Sequence, residues 1–466
     1  MTDATLTEPV RPRRVRRRLI VAVVILLPLA IHAVWDQIES TLLAREIAAI
    51  ARRGEPVNVT SDRFTLTDPE ERQAASLYAA AAQLARWQAQ ADGHNMARKD
   101  IEDPTTDPRL DYPALAAYLA QSEPALHLLN VATPLRFVRF GAIAPDLIMN
   151  QSSLDALNGM NCLNADILSV RGEGDVATDL LVRSVRLQRA IQGPFYRYLS
   201  VRHLYGSLRV LLRHTTPGSD ALTRLQSALE EWPDEDGMVA DVLRHRALTL
   251  ADFWPYPPER SSWSLRPKEP RFLNVSTSVA FVALRPFITH ELRTALRPYD
   301  EVLAVARQPW PAKLDAARNL QQRYSADLER AGHWRTLGFV RVPSVIALYS
   351  LGELSWAGTN LAMRRTAIAT MALERYRRDH GGAPPSSLQA LVPGYLPAVP
   401  EDPFSGRPLL LKADGDGYVI YSVDLDRTDD GGLLDGAGTG KKERRRAFGD
   451  TGHGDIGIRV PLAPKH

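Results

Sequence analysis

Cysteine is almost absent. Cys162 stands alone, which excludes an internal disulfide framework and any zinc cluster built on thiolates. It reads as a small core residue. Local catalytic signatures are missing as well: there is no Gly-x-Ser-x-Gly elbow, no His-Glu-x-x-His and no Ser-x-x-Lys with its partner motifs. The stretch GTGKK, Gly438 to Lys442, lacks the first glycine at the right spacing and the hydroxyl residue that a phosphate loop requires. His203, His214 and His245 lie in helix-forming text, where packing or exposure accounts for them. No catalytic residue is assigned, and the chain reads as a non-enzyme.

A basic body is also lacking. Arg11, Arg13, Arg14, Arg16, Arg17 and Arg18 supply six of the 57 basic residues, and removing those six leaves 51 against 54 acidic ones. The high pI belongs to this tail, so a nucleic-acid groove over the folded body has no support.

Only one long apolar run stands out. Leu19 to Trp35, LIVAVVILLPLAIHAVW, carries no formal charge and makes about 26 Å of helix, close to the lower limit for crossing hydrocarbon. Cleavage after Ala33 or Ala30 would place Ile31 or Pro28 where a signal peptidase wants a small residue. An uncleaved signal-anchor over residues 19–37 is expected. The arginines before it, with Asp36 and Glu39 after it, keep residues 1–18 in the cytoplasm and put the remainder outside. The expected location is the inner membrane, single-pass. Leu337 to Gly352 is the nearest competitor as a span, but Arg341 and Pro343 interrupt it.

What fills the middle is alanine-rich and helix-favouring, from Pro69 onward. Helices are expected at Leu154–Val170, Val176–Ile191, Tyr196–Arg213, Asp220–Glu231, Gly237–Phe253 and Phe287–Arg307. The first two form an αα-hairpin, with Gly172 or Gly174 ending one helix and Asp175 capping the next. Residues 38–355 form an extracytoplasmic helical domain, TPR-like or an irregular bundle, although no 34-residue repeat signature is present. Trp254 to Phe272, rich in proline and aromatics, reads as a long loop within it.

Residues 356–466 change character. A helix ends at Gly381 and Gly382, a short turn follows at Ser387–Val392, and prolines steer GYLPAVPEDPFSG. Leu409–Ala413 and Tyr418–Val423 flank DGDG, whose Asp-Gly steps supply the positive φ of a tight hairpin. An acidic stretch, DLDRTDDGG, and a last strand at Asp455–Pro461 complete the module. The expected class is mainly α, with a small α+β C-terminal domain.

The run from ALERYRRDHG through LQALVPGYLPAVPEDPFSGRPL and GDGYVIYSV to an acidic loop and DIGIRV resembles the globular domain of the major (G-type) pseudopilin of type II secretion systems. The whole chain is also similar to bacterial membrane-anchored proteins that place a helical domain before such a module. The resemblance implies calcium in the acidic loop, with Asp426 and Asp455 as the carried-over positions and Asp429 and Asp430 as helpers. A solvated acidic turn, opposed by Arg427 and by Lys441 to Arg446, is the other reading. The chain departs from that family in having no Gly-Phe-Thr-Leu-Ile-Glu type of cleavage site, and its span lies far upstream of the module. Together these features point to a bitopic envelope protein that binds other envelope proteins as a scaffold, with a link to secretion implied by the resemblance. The alternative is an envelope hydrolase whose polar residues converge only on folding.

Overall fold

The computed structural model describes residues 12–57, 68–89, 113–135, 151–190, 194–231, 236–253, 273–330, 342–434 and 454–462. The loop expected at 254–272 and the basic run Lys441 to Arg446 lie outside the described residues, as does part of Leu337 to Gly352. The described chain is mainly helical, with one small three-stranded antiparallel sheet. In chain order the helices are α1 Pro12–Arg52, α2 Pro69–Ala89, α3 Pro113–Ala132, α4 Gln151–Val170, α5 Gly174–Ala190, α6 Pro194–His214, α7 Ser219–Glu230, α8 Asp236–Phe253, α9 Leu273–Ala306, α10 Ala312–Arg330 and α11 Val342–Asp379. A 3₁₀ turn at Leu388–Leu391 leads to strands β1 Leu410–Asp414, β2 Gly417–Ser422 and β3 Ile456–Pro461.

Local chemistry explains the boundaries. The Asp68 carboxylate accepts the Glu70 N–H at 2.8 Å, Pro69 takes the first helical position, and Glu70 and Glu71 meet the positive end of the α2 dipole. Between α4 and α5, Gly172 adopts φ +84° and Glu173 N–H returns to Leu168 O at 2.9 Å, the closure that ends helices at a left-handed residue. Asp175 does not cap α5. Its carboxylate accepts from Gly218 N–H, the residue that opens α7, and so ties two successive hairpins together. At the end of α11, Gly381 and Gly382 take φ +65° and +90°, and Gly382 N–H returns to Arg377 O.

Two helices are longer than periodicity indicates. The apolar run of α1 continues without a break into Arg52. Helix α9 begins at Leu273 rather than Phe287, running through Pro286; proline weakens a helix interior, and here the flanking segment packs against α1.

Helix α11 organises the core. It packs against α6, α7, α9 and α10 and against β2 and β3. Its Ala367–Leu373 segment joins Leu181, Leu204, Leu208 and Leu225 with Leu388, Leu396, Ile420 and Ile458 in one apolar cluster. Helix and sheet are therefore fused by burial across residues 355 and 356, where α11 is continuous. A second cluster joins α2, α3 and α4 around Tyr78, Leu129 and Leu157. Strand β2 is the central strand and buried throughout. Tyr418 and Ile420 enter the main cluster, whereas Val419 and Tyr421 meet Leu434 on the other face.

Candidate functional site

The acidic loop leaves β2 at Asp424, which is buried and held at φ +57°. Four sequence positions were expected to meet here. Asp426 turns to its own segment and accepts Thr428 N–H at 3.0 Å. Asp429 accepts from Gly431 N–H at 2.8 Å and from the Tyr421 hydroxyl at 3.0 Å. Asp455, at the start of β3 and 1% exposed, accepts Gly432 N–H at 2.8 Å and, at 3.5 Å, Asp430 N–H.

The loop therefore closes onto Asp455, with Asp429 and Asp430 beside it and Asp426 apart. Burial pushes the Asp455 carboxyl up; the Gly432 and Asp430 N–H bonds oppose this, the Asp429 and Asp430 charges reinforce it, and the result is about 6. Among the described residues no three His, Cys, Asp or Glu side chains form a group able to hold a metal. Arg427 does not neutralise the loop; its guanidinium reaches Asp315 on α10 at 2.9 Å. Gly432 makes the close approach possible: it sits at φ +79°, and a Cβ there would fall 2.6 Å from Val419.

Polar residues before and around the loop hold the module in shape. Asp402, in the PEDPFSG stretch, is 2% exposed and accepts four bonds, from Phe404 N–H, Val423 N–H, Ser405 and Ser422. It pins the proline-steered loop to the end of β2. Glu374 and Arg377, both on α11, pair at 2.6 Å, and the Tyr418 hydroxyl donates to the same Glu374 oxygen. Arg377 also donates to Gly382 O and Leu462 O, so one guanidinium joins the helix end to the last strand. Burial and the Glu374 carboxylate push the Tyr418 phenol well above its usual 10.

Sequence reasoning missed the cluster that fastens α1 to the body. Glu55, just past α1, accepts from Arg246 at 2.8 Å, Arg307 at 2.9 Å and Arg53 at 3.1 Å. Arg246 is fully buried and also donates to Asp300 at 3.0 Å. Burial alone would raise the Glu55 carboxyl, but the hydrogen bonds from Arg246 and Arg307 outweigh it and hold it at about 2. Further along α1, Glu39 pairs with His290 and Arg293 of α9 at 2.9 and 2.8 Å. No local signal exposes such partners, because they lie about two hundred residues apart.

The histidines singled out in the helical region do not converge. His203 on α6 faces Asp155 on α4 at 3.4 Å. An open depression of about 440 Å³ between α2 and α3 is lined by Leu84, Glu123, Pro124, His127 and Leu128, with no serine or cysteine among them. No family model, curated protein or solved structure matches this chain.

Proposed function

We propose that the chain is a bitopic cell-envelope protein, held in the cytoplasmic membrane by α1 with its first residues inside, and that its outer body is a docking scaffold for other envelope proteins. The observation that carries this reading is the division of α1. It is the one helix among the described residues long and apolar enough to cross a membrane. The large apolar side chains between Ile20 and Val34 are half or more exposed, whereas Leu43 and Ile50 are buried and Glu39 and Glu55 are clamped by arginines. Half of the helix is thus shaped for lipid and half for protein.

A half-buried aromatic cluster at the edge of the main core supports the scaffold role. Tyr376 stacks on His380 at 3.8 Å, Tyr395 meets Tyr376 edge-on at 5.5 Å, and Arg375 lies 5.6 Å over the Tyr395 ring. Tyrosine and arginine clusters of this kind supply interface hot spots. Crosslinking in membranes tests the proposal. Tagged protein should recover partners that Tyr376→Ala/His380→Ala loses; recovery of the chain alone, where other envelope complexes survive, would refute it.

A cation at the acidic loop is a second reading, favoured by the repulsion around Asp455. Its carboxylate and those of Asp429 and Asp430 are the hard oxygen donors that calcium takes, although the three do not form a metal-holding group as they stand. Because α11 shares its core with α6 and α7, the test uses the full chain. Calcium at a hundredfold excess over the dissociation constant adds about 2.7 kcal/mol if it binds the folded form alone. Identical melting curves with calcium and with chelator would remove it.

A further inference from the structure

The helical body begins with an end layer. Helices α2 and α3 pack chiefly on each other and on α4, where Tyr78 and Ala82 of α2, Leu129 of α3 and Leu157 of α4 share one buried cluster. Inner layers of a stacked helical array are covered on both sides, whereas an end layer stays soluble by carrying a polar outer face. This end layer does not. Leu84 is 36% and Val131 43% exposed, Pro124 is exposed and Leu128 half-buried. The open depression of about 440 Å³ between the two helices is lined by residues of α2 and α3 alone, and Val131 extends the stripe of His127 and Leu128 by one helical turn.

Two polar groups on this face indicate what covers it. Glu123 and His127 are both exposed and stand four residues apart on one side of α3, and neither has a hydrogen-bond or ion-pair partner among the described residues. They complement each other across a two-fold axis. An antiparallel second α3 brings the Glu123 carboxylate of each copy to the imidazole N–H of His127 of the other, so the contact is made twice. A patch of one sign would repel itself under that symmetry, but one acceptor and one donor attract. The apolar stripe of Leu84, Leu128 and Val131 then faces the same stripe of the other copy and leaves water.

We propose that the outer face of α2 and α3 is where a second copy of this chain docks, end layer against end layer, to form a two-fold dimer. Its occupant is the same α2–α3 face of that copy. The pairing supplies the missing cover on both bodies at once and joins them into one longer helical array. Because the interface is closed by its symmetry, association stops at two chains.

The experiment weighs the full chain in detergent micelles by light scattering after gel filtration. It also treats two cysteine variants with a bis-maleimide: Val131→Cys on the face, and Val176→Cys, 52% exposed on α5, as the control. Cys162 is buried and stays in place, with the unsubstituted chain as the blank. The protein part should weigh two chains, and Val131→Cys should crosslink where Val176→Cys does not. His127→Glu sets carboxylate against carboxylate and should leave a single chain with unchanged helical circular dichroism. Glu123→His/His127→Glu exchanges the two roles and should restore the dimer. A single-chain mass for the unsubstituted protein, with or without a different protein on that face, overturns the proposal. So does a dimer that His127→Glu leaves intact, a crosslink through Val176→Cys but not Val131→Cys, or an exchanged variant that stays single. None of these outcomes alters the reading of α1 or of the Tyr376 cluster.

Discussion

Replacing Glu55 by Gln removes the charge at the centre of the cluster that locks α1 to α8 and α9. Arg246 has no solvent exposure and Glu55 only 10%, so breaking the pair leaves a buried guanidinium with Asp300 as its remaining carboxylate. Removing one partner of a buried pair costs about 3–5 kcal/mol, and retention of Asp300 favours the lower end. The lowered Glu55 pKa, which arises from the same contacts, agrees in size. A fall from 4.5 to about 2 corresponds to about 3 kcal/mol.

The sign fixes the pH window. Because the folded state lowers this pKa, the stabilisation is complete above 4.5 and is lost as pH falls from there toward 2. Glu55→Gln should therefore melt several degrees below the unsubstituted protein at pH 7, by circular dichroism in detergent, and the gap should narrow below pH 4.5. A deficit of under a degree at pH 7, or one equally large at pH 3, would refute the electrostatic account of this joint.

Asp455→Asn is expected to raise stability above pH 6, since the folded carboxyl titrates near 6 against an ordinary 3.8. Of the about 3 kcal/mol that ionisation costs, roughly 1 is given back through the lost N–H acceptor, and the gain should vanish below pH 4 in denaturant titrations. Glu374→Ala leaves Arg377 and Tyr418 without their shared acceptor and should cost about 2–4 kcal/mol in the same assay. A loss under about 1 kcal/mol would mean the network contributes little. At Gly358 a Cβ would lie 3.0 Å from Phe404 and 3.2 Å from Trp310. Gly358→Ala should be near neutral, strain cancelling the gain in helix propensity, whereas Gly358→Val should lose about 1–3 kcal/mol.

The parts of this fold that can be read from sequence are those made by near neighbours. Gly172, Gly381 and Gly382 end helices where the residues themselves require it, and Gly415, at φ +58° in the two-residue turn between Asp414 and Gly417, closes the hairpin that DGDG announces. The acidic loop is legible as a cluster of carboxylates, but not its arrangement: Asp426 is spent on its own turn, and Asp455 becomes the focus only because β3 pairs with β2. Pro286 suggests a helix start that packing on α1 overrides. Glu55, Arg246 and Arg307 look like ordinary surface charges, and only the meeting of α1, α8 and α9 buries Arg246 and Glu55 together, with Arg307 reaching in from the exposed side. Asp402 likewise sits in a proline-rich connector and becomes a four-fold acceptor once β2 is in place.

The account turns on which side of the membrane the body occupies. A dual alkaline phosphatase and β-galactosidase reporter fused after His466 reads this directly in cells. Arginines on the inner flank of α1 and acids on its outer flank require phosphatase activity without β-galactosidase activity. β-Galactosidase activity without phosphatase would place the helical body and the sheet module in the cytoplasm and contradict the account.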